Sequence, residues 1–146
     1  MKVGVLGSGD VAKALAAGFV ANGHDVMLST RTASKLAEWA KQNSSVQIGS
    51  FAESAKFGQV IALAVKGTAA QAALRAANAA NLAGKTVIDA TNPIADEPPT
   101  NGVLKLFTSP NESSMERLQR EFGDANFVKA FNSVGAACIG FTLSSY

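Results

Sequence analysis

The chain has 146 residues, with 13 basic against 11 acidic side chains and an apolar share of 47%. That length suits one domain able to bury roughly 68–70% of its unfolded surface, and the apolar share excludes a disordered chain. The near balance of charge gives no basic stripe for nucleic acid and no polybasic tail for a membrane, and no apolar stretch is long enough for a membrane span. Cys138 is the single cysteine, which excludes an internal disulfide and a zinc cluster. The expectation is a soluble cytoplasmic protein whose residues 1–146 form one domain.

Val3 to Leu6 is a short apolar run ending in glycine, the pattern of a buried strand. From Gly9 onward Val11, Ala12, Leu15, Ala16, Phe19 and Val20 recur at helical spacing, and Asn22-Gly23 closes the helix. Asp25 to Thr30 is a second strand, Ala33 to Ala40 a helix, and Val46 to Ile48 a weak third strand. Val60 to Val65 is a strong apolar strand, followed by an alanine-rich helix from Thr68 to about Ala80 and a fifth strand from Lys85 to Ala90. Asn92 to Pro110 holds all four prolines and is expected to be mostly loop. Ser113-Ser114-Met115-Glu116 supplies a capping box for a helix running to Phe122 and stopping at Gly123. Phe127 to Phe131 is the sixth strand. Strands alternating with helices predict parallel βαβ units, hence an α/β doubly wound sheet of six strands with helices on both faces.

Gly7-Ser8-Gly9-Asp10-Val11-Ala12 is G-x-G-x-x-A between a strand and a helix, the context that marks a Rossmann fold. Gly7 permits the tight turn, Gly9 lets backbone approach a pyrophosphate, and Ala12 lets helix and strand pack closely. The helix N-terminus presents free N–H groups and a positive dipole end to phosphates. An ordinary glycine-rich turn is the bland alternative, and the amphipathic helix that follows speaks against it.

The end of the second strand is the informative departure. A carboxylate there would accept hydrogen bonds from the two ribose hydroxyls of NAD and repel a 2′-phosphate. This chain has Ser29, Thr30 and Arg31, with Lys35 one helical turn further on. Thr30 and Arg31 can donate to a 2′-phosphate and Lys35 can add a second cation, so NADP(H) is the expected dinucleotide. The alternative is that Arg31 and Lys35 are solvated surface charges.

Acid–base candidates are scarce. His24, the only histidine, falls in a helix-to-strand turn, at the edge opposite the carboxyl ends where ligands bind. Tyr146, the only tyrosine, is the last residue, so the Tyr-x-x-x-Lys arrangement of short-chain dehydrogenases is absent. No catalytic residue and no metal site is expected. Polar groups at carboxyl ends are Lys66 after Val65, then Thr91, Asn92, Asn132 and Ser133. Asn92-Pro93-Ile94 would lie across the crevice near a nicotinamide. Asn132 fits that rim or a buried loop backbone equally well, and Lys66 either steers an anion or is simply solvated. Cys138, in apolar VGAACIGF, is expected to be a buried thiol. A hydride site without a proton shuttle suits a flavin or deazaflavin acceptor, which takes hydride into its own ring; Asp96 or Glu97 acting as an acid would weaken that inference.

The segments VGVLGSGDVAKALAAGFVANGHDVMLSTR, VIDATNPI and FVKAFNSVGA, in that order, resemble the NADPH-dependent oxidoreductases of the deazaflavin (factor-420) family. The resemblance implies Gly7, Ser8, Asp10 and Val11 around the pyrophosphate, and Thr30 with Arg31 at the 2′-phosphate. It places Ser29 where the family usually has glycine, and Lys66 where many members have proline. It also implies the Asn92-Pro93-Ile94 loop beside the nicotinamide, with Ala130, Asn132 and Val134 lining the same pocket. Family members generally continue well past the Ala-Phe-Asn segment into strands and helices that complete the acceptor pocket and often a homodimer. This chain is therefore expected to lack that part, leaving VGAACIGF without its usual cover. The leading expectation is an NADP-dependent oxidoreductase whose acceptor is FMN or a deazaflavin. Close behind stands an NADP-binding module or sensor without a complete catalytic site. An imine reductase is a third reading, disfavoured because such enzymes build their substrate site with a large helical C-terminal domain.

Overall fold

The computed structural model describes residues 1–139. Tyr146, and Gly140 and Phe141 at the end of the VGAACIGF run, lie outside the described residues. Six parallel strands form one sheet: β1 (Lys2–Leu6), β2 (Asp25–Ser29), β3 (Val46–Gly49), β4 (Val60–Leu63), β5 (Thr86–Asp89) and β6 (Asn126–Lys129), in the order β3-β2-β1-β4-β5-β6. The sheet is doubly wound as expected. Helices are α1 (Asp10–Ala21), α2 (Ala37–Gln42), α3 (Phe51–Phe57), α4 (Ala70–Ala77), α5 (Ala79–Leu82) and α6 (Ser114–Glu121).

Two apolar layers hold them to the sheet. Leu6, Ile61, Leu63 and Val87 meet Phe51, Ala55, Leu74, Leu82 and Leu118 from α3 to α6. On the other face Val3, Val5, Val26 and Leu28 meet Leu15, Ala16 and Phe19 of α1, together with Leu36. Each fully buried leucine contributes about 1.5–3 kcal/mol relative to exposure. The central strands are apolar throughout because both faces are covered.

The structure corrects several boundaries. Ala33–Leu36 is a single 3-10 turn before α2 rather than the start of one continuous helix. The alanine-rich segment is broken at Asn78, which stands at φ 70° and accepts from the Ala80 N–H. Asparagine tolerates that left-handed conformation better than most residues. Strand β4 stops at Leu63, so Val65 belongs to the loop. Helix α3 was not expected. Its signal was a capping box, with Ser50 and Glu53 satisfying each other's backbone N–H groups. The helix spans only 7 residues, too few for periodicity to stand out. The same device starts α6 at Ser113 and Glu116, as anticipated.

His24 lies between α1 and β2, its ring 6.0 Å from that of Phe19. Cys138 is exposed, contrary to expectation. It sits in a helical turn that directs its neighbour Ile139, which is fully buried, into the α1-side core. The VGAACIGF run is thus partly covered by its own domain, through Val134 and Ile139. Among the described residues no helix is long and apolar enough to cross a membrane.

Candidate functional site

Strand order reverses beside β1, because the chain runs outward through β2 and β3 and then returns to place β4 on the other flank. Crevices open at the carboxyl ends of the strands at such a switch point. A cleft of about 700 Å³ lies there, lined by the segments that follow β1, β2, β4 and β5.

Its floor is Gly7-Ser8-Gly9-Asp10-Val11. Gly7 stands at φ 139°, and a Cβ there would meet the Ala64 carbonyl oxygen at 2.2 Å, so only glycine turns the chain at this point. Buried Ser29 holds the turn: its Oγ accepts from the Gly7 N–H at 3.3 Å. Gly9 is the N-cap of α1, and a Cβ on it would meet nothing within 4 Å. No side chain caps this helix start, so its first amides have no partner within the helix and face the cleft.

A second, polar pocket of about 250 Å³ shares Ser8 and Arg31 with the cleft and adds Thr30, Thr32 and Lys35. Arg31 and Lys35 are exposed, and neither pairs with a carboxylate among the described residues. Thr30 also makes local hydrogen bonds. Its hydroxyl donates to the Thr32 carbonyl and accepts from the Thr32 N–H, both at 3.1 Å. The hydroxyl therefore shapes the turn that presents Arg31. Thr32, beside it in the sequence, was overlooked as a lining residue.

The remaining walls differ in character. Phe51 with Ala69, Ala72, Ala73 and Ala76 makes an apolar face; the alanine-rich composition was visible in the sequence, but not the side it would present. Val65, Lys66 and Gly67 come from the loop after β4, and Thr91, Asn92, Ile94 and Asp96 from the loop after β5. These loops touch. A Cβ on Gly67 would lie 2.0 Å from the Asn92 carbonyl oxygen, and Asp96 accepts from the Thr68 hydroxyl at 2.8 Å and the Lys66 ammonium at 3.4 Å. The Thr68 hydrogen bond, with Lys66 second, lowers the Asp96 carboxyl below its ordinary value. Glu97 pairs with Lys105 at 2.9 Å.

Pro93 and Asn132 do not line the cleft. The Pro93 carbonyl accepts from the Phe107 N–H at 3.0 Å. Asn132 braces Asn92: its carbonyl accepts from Asn92 Nδ2 at 2.7 Å, and its Nδ2 donates to Asn92 Oδ1 at 3.3 Å. Among the described residues no group of histidine, cysteine and carboxylate side chains could hold a metal ion.

No curated protein matches the chain. Among solved structures it is similar to a protein of Arthrobacter sp. FB24 provisionally assigned as an F420-dependent NADP-reductase, with 32% identity and a TM-score of 0.87 over 94% of this chain. The chain spans 65% of that relative. It shares its fold with a hypothetical protein of Sinorhizobium meliloti, at 22% identity and TM-score 0.74 over 96% of this chain and 65% of the other. It likewise shares it with an imine reductase of Myxococcus stipitatus in complex with NADP+, at 19% identity and TM-score 0.65 over 88% of this chain and 40% of the other. Residues 2–93, from β1 to the loop after β5, match the family described as NADP oxidoreductase, coenzyme F420-dependent. With more than half of its length matched, the chain belongs to that family of oxidoreductases.

Proposed function

We propose that this chain binds NADP(H) in the cleft and serves hydride transfer between it and a flavin or deazaflavin-type acceptor. The observation that carries this reading is the end of β2, where two cations without carboxylate partners among the described residues, Arg31 and Lys35, line a polar pocket beside the glycine turn. A phosphate ester at the ribose 2′ position suits that pocket. The open approach over Gly9 suits a pyrophosphate, which α1 receives with its uncapped amides. Ser8, Asp10 and Val11 hold the pyrophosphate through backbone N–H groups, and Thr30 fixes the turn from which Arg31 reaches the 2′-phosphate.

The nicotinamide end then falls against Val65, Lys66, Asn92 and Ile94, with Pro93 and Asn132 supporting the loop from behind. When bound, the dihydronicotinamide supplies a hydride, and both electrons pass to the acceptor. The chain's own contribution is orientation and exclusion of water. Among the described residues its lining offers no histidine or tyrosine, and the Asp96 carboxylate in it accepts hydrogen bonds from Thr68 and Lys66. That suits an acceptor that takes the electrons into its own conjugated ring. The same plain lining favours a second reading, an NADP-holding module that completes no reaction.

Calorimetric titration with NADPH and NADH tests the cofactor reading. A charge-assisted hydrogen bond contributes about 1.5–3 kcal/mol, so NADPH should bind roughly ten- to a hundredfold more tightly. Arg31→Ala should remove most of that preference. Equal affinity for the two nucleotides would overturn the reading. Oxidation of NADPH in the presence of FMN or a deazaflavin then separates the enzyme from the module.

A further inference from the structure

Strand β5 ends on Asp89, a carboxylate with no exposed surface. Its Oδ1 accepts from the Thr91 N–H at 2.9 Å and from the Thr91 hydroxyl at 2.7 Å. Its Oδ2 accepts from the Lys129 ammonium at 2.9 Å. Lys129 ends β6 and stands directly beside Asp89 in the parallel register. The same ammonium donates to the Thr91 carbonyl. Thr91 is therefore held at its N–H, its hydroxyl and its carbonyl by two side chains, neither of which lines the cleft. The next residue, Asn92, is braced by Asn132 on one side and abutted by Gly67 on the other.

A buried ion pair is a weak route to stability, since well-packed apolar replacements are often neutral or stabilising. Its consequence in this fold is geometric. Thr91 and Asn92 line the cleft, and they follow β5, whereas Arg31 follows β2 on the far side of β1 and β4.

We propose that Asp89 and Lys129 are positioning residues, whose ion pair sets the Thr91–Asn92 backbone that receives the nicotinamide end of the dinucleotide. This inference rests on the NADP(H) reading above.

The test compares two ligands by calorimetry: NADPH, and adenosine 2′,5′-bisphosphate, which keeps the 2′-phosphate end and lacks the nicotinamide. Wild-type protein binding both ligands upholds the NADP(H) reading; binding neither overturns that reading and this inference with it. Lys129→Met is expected to weaken NADPH by at least about tenfold, as misplacing a contact surface does, while the bisphosphate stays within about twofold. Lys129→Arg, which can still reach Asp89, should recover much of the loss. Should Lys129→Met not melt cooperatively, the Asp89→Asn/Lys129→Met pair leaves no uncompensated buried charge and is titrated in the same way. Equal weakening of both ligands, no weakening of either, or a double variant that again fails to fold would each overturn the positioning role.

Discussion

Gly7 and Gly9 are two residues apart, and the structure separates their purposes sharply enough to predict opposite outcomes for the same substitution. In Gly7→Ala the new methyl would lie 2.2 Å from the Ala64 carbonyl oxygen, where real Cβ atoms essentially never come within 3.0 Å; the difference obliges a shift of 0.8 Å. The Ala64 backbone cannot give easily, because its N–H donates to the Leu6 carbonyl at 2.8 Å and its side chain is buried. The positive φ adds about 1–3 kcal/mol of strain for a residue with a Cβ, and overpacking adds about 1–3 kcal/mol. The sum of about 2–6 kcal/mol is a large part of the 5–15 kcal/mol typical of a domain. At about 3 °C per kcal/mol the melting temperature should fall by about 6–18 °C. In Gly9→Ala the methyl meets nothing within 4 Å at a residue with φ −81°. Losing glycine at an N-cap costs less than about 1 kcal/mol, and melting should move by less than about 3 °C. The methyl would instead occupy the approach of the pyrophosphate, so NADPH affinity should drop by at least about tenfold. Differential scanning calorimetry and titration with NADPH read the two effects separately. A Gly9→Ala protein that binds NADPH like wild type, or a Gly7→Ala protein that melts within about 3 °C of it, would refute the reasoning.

Two further predictions concern hydrogen bonds elsewhere in the fold. Buried Ser54 of α3 donates to the Met27 carbonyl of β2 at 2.8 Å, so Ser54→Ala should cost about 0.5–1.5 kcal/mol in urea denaturation, and an unchanged midpoint would count against that bond. Glu116 is lowered in pKa by the Ser113 backbone N–H first and the Ser113 side chain second; its folded value lies below its unfolded one, so this stability is present above the ordinary glutamate range and lost as pH falls through it. Wild-type melting temperature should therefore drop between about pH 5 and 3 more steeply than that of Glu116→Gln, whose amide oxygen accepts the same N–H without titrating, and identical acid slopes would dismiss the contribution.

Much of the cleft was legible because its parts are local. A glycine after an apolar run, an amphipathic helix behind it and Arg31 after the second strand are features of a few successive residues, and their chemistry acts within a turn or two. The same holds for the Ser113–Glu116 capping box. Helix α3 carried an equally local signal in Ser50 and Glu53, yet it is too short for its periodicity to register. The break at Asn78 turned on one asparagine entering a left-handed conformation, which an alanine-rich background conceals. Other features have no local signal at all. Ser29 supports Gly7 across 22 residues, Gly67 is pressed against Asn92, and Lys129 meets Asp89 across 40 residues. The Thr30 hydroxyl, although near in sequence to its partner, is hydrogen-bonded to the Thr32 backbone. By itself the sequence determined the sheet's alternation, the phosphate-type turn and the cationic end of β2, since each follows from side-chain size, charge and spacing along a single element. Only the tertiary structure decided which groups hold Thr91 and Asn92 in the cleft wall, because that depends on the register that sets β5 beside β6.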